Sequence, residues 1–207
     1  MDLLSWFVIV PLITMVGIGF TKSMNQTRWV SAIGMSIQLL LAAYLVFSYL
    51  SIRATGNTDA MLFVYDATWF QTLNIHYTVG VDGISVAMIA LTAVVVFAGV
   101  FASWEMPYLT REFFISLILL ASGVFGFFIS IDLFTMFVFY EIAVIPMYLL
   151  IGIWGSGPKE YSAMKLTLML MGGSALLMVG LLGIYFNSAP QGGQYTFNLQ
   201  QIAANGI

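Results

Sequence analysis

Cysteine is absent from these 207 residues, histidine occurs once and charged side chains make up only 7%. Without cysteine there is no disulfide, no thiolate metal site, no iron-sulfur ligation and no sulfur nucleophile. The single histidine, His76, leaves a histidine-based metal or haem centre short of ligands. Six Lys and Arg against nine Asp and Glu give a net charge of -3 with no basic run. That argues against a nucleic-acid partner and against a polybasic lipid-binding patch. The N-terminal stretch MDLLSWFVIVPLITMVGIGF has no basic n-region and no small-residue cleavage site, so it reads as a retained span.

What the chain has in excess is apolar surface. At 61% hydrophobic residues it cannot cover itself with polar groups in water, and it reads as an integral membrane protein. Hydropathy resolves spans at about 3–20, 29–50, 83–104, 112–130, 132–153 and 161–186, each near the length a helix needs to cross a bilayer. Alternation of the barrel type is missing, and helices are the remaining spanning solution. The expected fold is all-α: a polytopic bundle of about six transmembrane helices forming a single membrane domain over 1–207. An outer loop at 51–82 and an uncharged tail at 187–207 complete it, and no internal repeat is visible.

Lys22, Arg28, Arg111 and Lys159 fall on one side of these spans and Arg53 on the other. The positive-inside rule then puts the N-terminus and the tail outside. In the outer loop, FVYDATWFQTLNIHYTVGVD suits an interfacial β-hairpin carrying Trp69 and Tyr77, and His76 receives no role. The inner turn EMPYLTRE, with Glu105, Pro107, Arg111 and Glu112, is accounted for by capping and charge compensation. Trp104 and Trp154 suit the aromatic belt. Gly99 with Ser103, Ser122 with Gly126, and Gly172, Gly173, Gly180 and Gly183 suggest close helix approach. YTFNL in the tail reads as β-like.

Two ionisable residues lie well inside spans. Glu141 follows Asp132 by nine residues, roughly 13 to 14 Å along a helix and close to half of a hydrocarbon core about 30 Å thick. A charge at that depth costs about 2.5 to 3.5 kcal/mol. Desolvation disfavours the carboxylate and suits the group to exchange a proton as a nearby positive charge comes and goes. The plain alternative is a protonated acid that hydrogen-bonds two helices together. Pro146, five residues on, cannot donate to the carbonyl of Ile142 and weakens the helix one turn beyond the acid. Lys165 lies about 9 Å into the sixth span. It either snorkels to the interface or faces the fifth span, as a proton-transfer group or a charge that tunes Glu141. Asp132 is sufficiently explained as a helix cap, and Tyr140 can hydrogen-bond or pack.

The run FVFYEIAVIPMYLLIGIWG, the following KEYSAMKLTLML and the earlier VGVDGIS resemble the antiporter-like membrane subunit M of bacterial NADH-quinone oxidoreductase, respiratory complex I, and its mitochondrial, cyanobacterial and chloroplast counterparts. The resemblance implies an incomplete antiporter-like fold, with Glu141 matching the proton-channel glutamate of the fifth helix and Lys165 the lysine of the sixth. Such subunits usually have about fourteen helices containing two inverted repeats of five. The chain therefore resembles the N-terminal part, ending in the loop before a seventh helix whose lysine is the glutamate's usual partner. It is expected to be a fragment or one half of a split subunit. The resemblance further implies a multi-pass protein of the bacterial inner membrane that moves protons beside other membrane subunits. It contributes to an enzyme only as a subunit, with no redox chemistry and no cofactor of its own. NADH, FMN, iron-sulfur clusters and quinone belong to partner subunits. Alternatives are a subunit of a cation/proton antiporter or membrane-bound hydrogenase, or a non-catalytic membrane fragment.

Overall fold

The architecture follows from the alternation of apolar runs with capping residues. The computed structural model describes residues 3–70, 74–106, 108–189 and 195–205. Six long helices occur among them: α1 (Trp6–Gly19), α2 (Met24–Ala54), α3 (Gly83–Ala102), α4 (Thr110–Ile129), α5 (Leu133–Trp154) and α6 (Lys159–Asn187). Between α2 and α3 lie strands β1 (Leu62–Phe70) and β2 (Ile75–Val81), and a short helix α7 (Leu199–Ala204) follows α6.

Five of these helices, α2 to α6, are long and apolar enough to cross a membrane. The first expected span is shorter, because α1 has 14 residues and covers about 21 Å. Conversely, α2 runs to 31 residues, since Ser23 caps it by accepting the backbone N–H of Gln26. Arg28, expected between spans, is thus one turn inside a helix. Lys159 likewise opens α6 where a loop residue was expected. The other boundaries fall close to their expected places, with Asp82 capping α3 through the Ser85 N–H and Asp132 capping α5 through that of Thr135.

The interfacial hairpin is present. β1 and β2 pair antiparallel, with Asp66 opposite Thr78 and Thr68 opposite His76. In the tail, YTFNL is not a strand. It contributes a single bridge, Asp132 with Asn198, after which Asn198 caps α7 by accepting from Gln200 and Gln201. A polar cap and six helical residues compete successfully with β propensity there. Of the residues singled out above, Pro107 and the loop and tail positions 71–73 and 190–194 lie outside the described residues.

The links sort the two ends of the bundle. At one end, the Ile131 N–H donates to Thr78 (2.8 Å) and that of Leu133 to Phe197 (3.0 Å), joining the hairpin, the α4–α5 link and the tail. At the other, Arg111 donates to the Gly19 carbonyl, and Trp154 Nε1 to that of Tyr108 (2.9 Å).

The main core joins α1, α2, α3 and α4 around Phe7, Met35, Ile89 and Phe125, all buried. A second core joins Leu133 of α5 to Leu181 and Tyr185 of α6 and to Phe197 and Ile202 of the tail. Between them, α4 and α5 meet at unusually close range. A Cβ on Gly123 would lie 2.8 Å from the Ala143 nitrogen and 2.9 Å from the Phe139 carbonyl oxygen, and one on Gly126 would enter the Phe139 ring. Close helix approach, expected there from Ser122 with Gly126, is made by Gly126 together with Gly123. At Gly99, Gly172, Gly173, Gly180 and Gly183 an added Cβ meets nothing, so their lack of side chains serves no contact within this chain.

Candidate functional site in the fifth and sixth helices

Helix α5 holds Glu141 at its middle, and the neighbours of α5 fix which way that residue faces. Phe139 and Ala143 press against Gly126 and Gly123 of α4. Glu141, midway between them in sequence, projects from the opposite side of the helix. It is eleven residues from Gly152, three turns and about 20° away on the helical wheel, and Gly152 faces Ala163 of α6. The acid therefore stands on the stripe of α5 that α6 follows. Gly152 opposite Ala163 and Leu133 packed with Leu181 define an antiparallel register that brings Glu141 level with Ser174, itself buried.

Glu141 is partly buried, and its Oε1 is fully enclosed with no hydrogen-bond partner among the described residues. A buried carboxyl oxygen left without a donor is costly and is the state of a group awaiting a proton, a water or a partner. Pro146, buried one turn further along, interrupts no helical geometry, for α5 is continuous from Leu133 to Trp154. It does lack the N–H that would have reached the Ile142 carbonyl. A cleft of about 400 Å³ lies between the hairpin and α5, lined by Trp69, Tyr77, Thr135, Phe139 and Ile142 among others.

Lys165 is on the same helix pair but is not brought to Glu141. The buried residues of α6 are Ala163, Ser174, Leu181 and Tyr185, which lie along one stripe of the wheel. Lys165 is two residues, or about 200°, from Ala163 and occupies the opposite, exposed face. By the register above it is level with Leu150, nine residues from Glu141, so their backbones are offset by about 13 Å along the helix axes. No ion pair joins them among the described residues. Lys165 instead lines an open hollow with Tyr161, Met164, Leu168 and Met169, its Nζ 6.0 Å from the centre of the Tyr161 ring. The expectation that it faces the fifth span does not hold, because the small residues that let α6 approach α5 are at Gly152 and Ala163 and not beside the lysine.

Asp132 sits in the extended link before α5, fully buried. Its Oδ1 accepts the Thr135 N–H at 3.0 Å, while Oδ2 has no partner among the described residues. Burial pushes its carboxyl above the ordinary value of 3.8, and the hydrogen bond from Thr135 offsets part of that rise.

Two features escaped the sequence reading. Gln38 is buried in the middle of α2, donating from Nε2 to the Phe7 carbonyl at 3.1 Å while its Oε1 has no partner among the described residues. Its signal was legible: one amide inside the apolar run IGMSIQLLLAAYL. The other is His76, whose Nδ1 meets Asp66 across the hairpin and whose Nε2 meets Asn74 two residues before it. No three His, Cys, Asp or Glu side chains among the described residues gather as metal ligands.

Comparison with known proteins bears on this arrangement of helices. Residues 130–205, which contain α5, α6 and α7, match the NADH:quinone oxidoreductase/Mrp antiporter transmembrane family. The chloroplastic NAD(P)H-quinone oxidoreductase chain 4 of Angiopteris evecta is 33% identical over 85% of this chain and 34% of its own length. NADH-quinone oxidoreductase subunit M of Rhodobacter capsulatus is 30% identical over 78% of this chain and 30% of its own. The chain thus spans about a third of the length of these relatives. In respiratory complex I from Thermus thermophilus, one subunit superposes with a TM-score of 0.79 at 20% identity, over 98% of this chain and 39% of that subunit, which is a likeness of fold. The chain is a multi-pass membrane protein that resembles part of the antiporter-like subunit M of NADH-quinone oxidoreductase.

Proposed function

We propose that this chain is the N-terminal part of a proton-translocating membrane subunit of NADH-quinone oxidoreductase and that Glu141 is its proton-transfer group. The observation that carries the reading is the unpartnered, enclosed carboxyl oxygen at the middle of α5. It lies within the segment that matches an antiporter-type membrane family. A carboxyl group in that position is a candidate to accept a proton and pass it on. The Ile142 carbonyl freed by Pro146 adds a second unsatisfied acceptor one residue away, a place where a water can be held.

Lys165 acts on this site from a distance. Across about 13 Å at an effective dielectric of about 20, a lysine charge contributes about 1 kcal/mol. Its open face, with Tyr161 beside it, is where further helices of the assembly cover α6 and where a proton relay continues. NADH, FMN, iron-sulfur clusters and quinone belong to partner subunits, since a chain without cysteine has no ligands for a cluster. The other partners are membrane subunits of the same complex. The N-terminus and the hairpin end face outward from a bacterial inner membrane, in accord with Lys22, Arg111 and Lys159 at the opposite end.

The matching family also covers Mrp-type antiporters, which supports one second reading, a cation/proton antiporter subunit. Purification from native membranes separates the two. Flavin and iron-sulfur proteins accompanying the chain support the oxidoreductase, whereas a set of small membrane subunits without redox centres supports the antiporter. In either assembly, Glu141→Gln is expected to lower proton movement by tenfold or more, by analogy with lost proton-transfer groups, with Glu141→Asp retaining more.

A further inference from the structure

The hairpin carries a three-residue arrangement that no part of the proton path uses. His76 on β2 has Nδ1 2.7 Å from Asp66 Oδ1 on β1 and Nε2 3.0 Å from Asn74 Oδ1 at the start of β2. The amide nitrogen of Asn74 donates to the Tyr195 carbonyl at 2.9 Å, which turns Oδ1 towards the imidazole. Both ring nitrogens thus meet acceptors: a carboxylate, which only accepts when ionised, and an amide oxygen. Only an imidazolium donates to both.

We propose that the proton on His76 is a latch that ties the hairpin to the segment after α6. With His76 charged, Nδ1–H donates to Asp66, Nε2–H donates to Asn74 Oδ1, and the Asn74 amide nitrogen holds Tyr195. When the imidazolium gives its Nε2 proton to water, the remaining Nδ1–H keeps the carboxylate and Nε2 turns from donor to acceptor. Two acceptors then face one another. The amide relieves this by turning over, so that its NH2 donates to Nε2 and its oxygen meets the Tyr195 carbonyl, and the bond to the tail is given up. Each state satisfies the imidazole, and only one adds the Asn74 bond to the contacts that hold the tail.

The surroundings leave His76 as the moving charge. Asp66 faces it from β1. From the α4–α5 link, Asp132 is the nearest further acid, bonded to Thr135, and from α5 the Thr135 hydroxyl donates to the His76 carbonyl at 3.1 Å. From the tail, Tyr195 is joined through its carbonyl. His76 is about a quarter exposed and Asp66 about half, so the proton exchanges with solvent. The tail strand-like segment so held also bonds Leu133, the first residue of α5, through Phe197, which connects the latch to the helix bearing Glu141.

The test is amide hydrogen exchange of residues 195–198 in the full chain in nanodiscs at pH 5.5 and pH 8, each corrected for intrinsic exchange. Protection is expected to fall about fivefold at the higher pH, the factor for one hydrogen bond. Asp66→Asn offers an amide donor to Nδ1, so the neutral Nε2–H form satisfies both contacts and protection should stay high at both pH values. Asn74→Ala should give low protection at both. Equal protection of the unmodified chain at the two pH values overturns the latch. So does an undiminished pH response in Asp66→Asn, or full protection in Asn74→Ala.

Discussion

A carboxyl group surrounded by apolar side chains is tolerable when it is protonated or when a donor reaches it, and Asp132 and Glu141 differ in whether one does. Asp132 has found a donor: the cap of α5 uses one oxygen, while the other has no partner among the described residues. Its raised proton affinity means that the folded state binds a proton where the unfolded chain does not. The stabilisation is therefore complete below about 3.8, the ordinary value, and is lost as pH rises through the raised folded value. Asp132→Asn keeps the accepting oxygen and removes the charge, so thermal unfolding in detergent should show unchanged or higher stability with less dependence on pH. Asp132→Ala removes the cap and should cost about 1 kcal/mol. Glu141 has no such donors. Its depth and isolation were legible in the sequence, because one acid stands in an apolar run at a countable distance from a capping residue. The direction in which Lys165 points was not, because a helical face is assigned by what packs against it, and the approach of Ala163 to Gly152 is a property of two helices together. The proposed weak coupling gives a ranking: Lys165→Met should reduce proton movement several-fold, about what 1 kcal/mol produces, and less than Glu141→Gln does.

At the scale of elements, the position of α5 rests on the backbone contact with α4. Gly123 faces main-chain atoms of Phe139 and Ala143, which cannot rotate away as a side chain does. Gly123→Ala should push α5 outward and destabilise the helix pair by about 1 to 3 kcal/mol, read as a lower unfolding temperature in detergent. Gly172→Ala, with open space at its Cβ, should leave the isolated chain unaffected and serves as the control. The hairpin was legible because alternation and aromatic residues mark it. The tail helix was hidden, since six residues carry no periodic signal and only the capping geometry of Asn198 reveals them. The beginning of α2 was likewise obscured by the polar residues Asn25, Gln26 and Arg28, which depress hydropathy without opposing a helix.

For the whole molecule, the two ends of the bundle differ in kind. One end gathers the hairpin, the α4–α5 link and the tail into a hydrogen-bonded cap; the other carries Lys22, Arg111 and Lys159. Such an arrangement leaves α5 fixed at its capped end and against α4, while the stripe bearing Glu141 runs beside α6. A proton site on that stripe must matter to transport and not to electron transfer itself, and the ratio of the two is the direct measure. In the intact oxidoreductase reconstituted into vesicles, protons moved per quinone reduced should fall in Glu141→Gln and recover in part in Glu141→Asp. An unaltered ratio in Glu141→Gln, with turnover at the unmodified level, would contradict the assignment of Glu141 as the proton-transfer group.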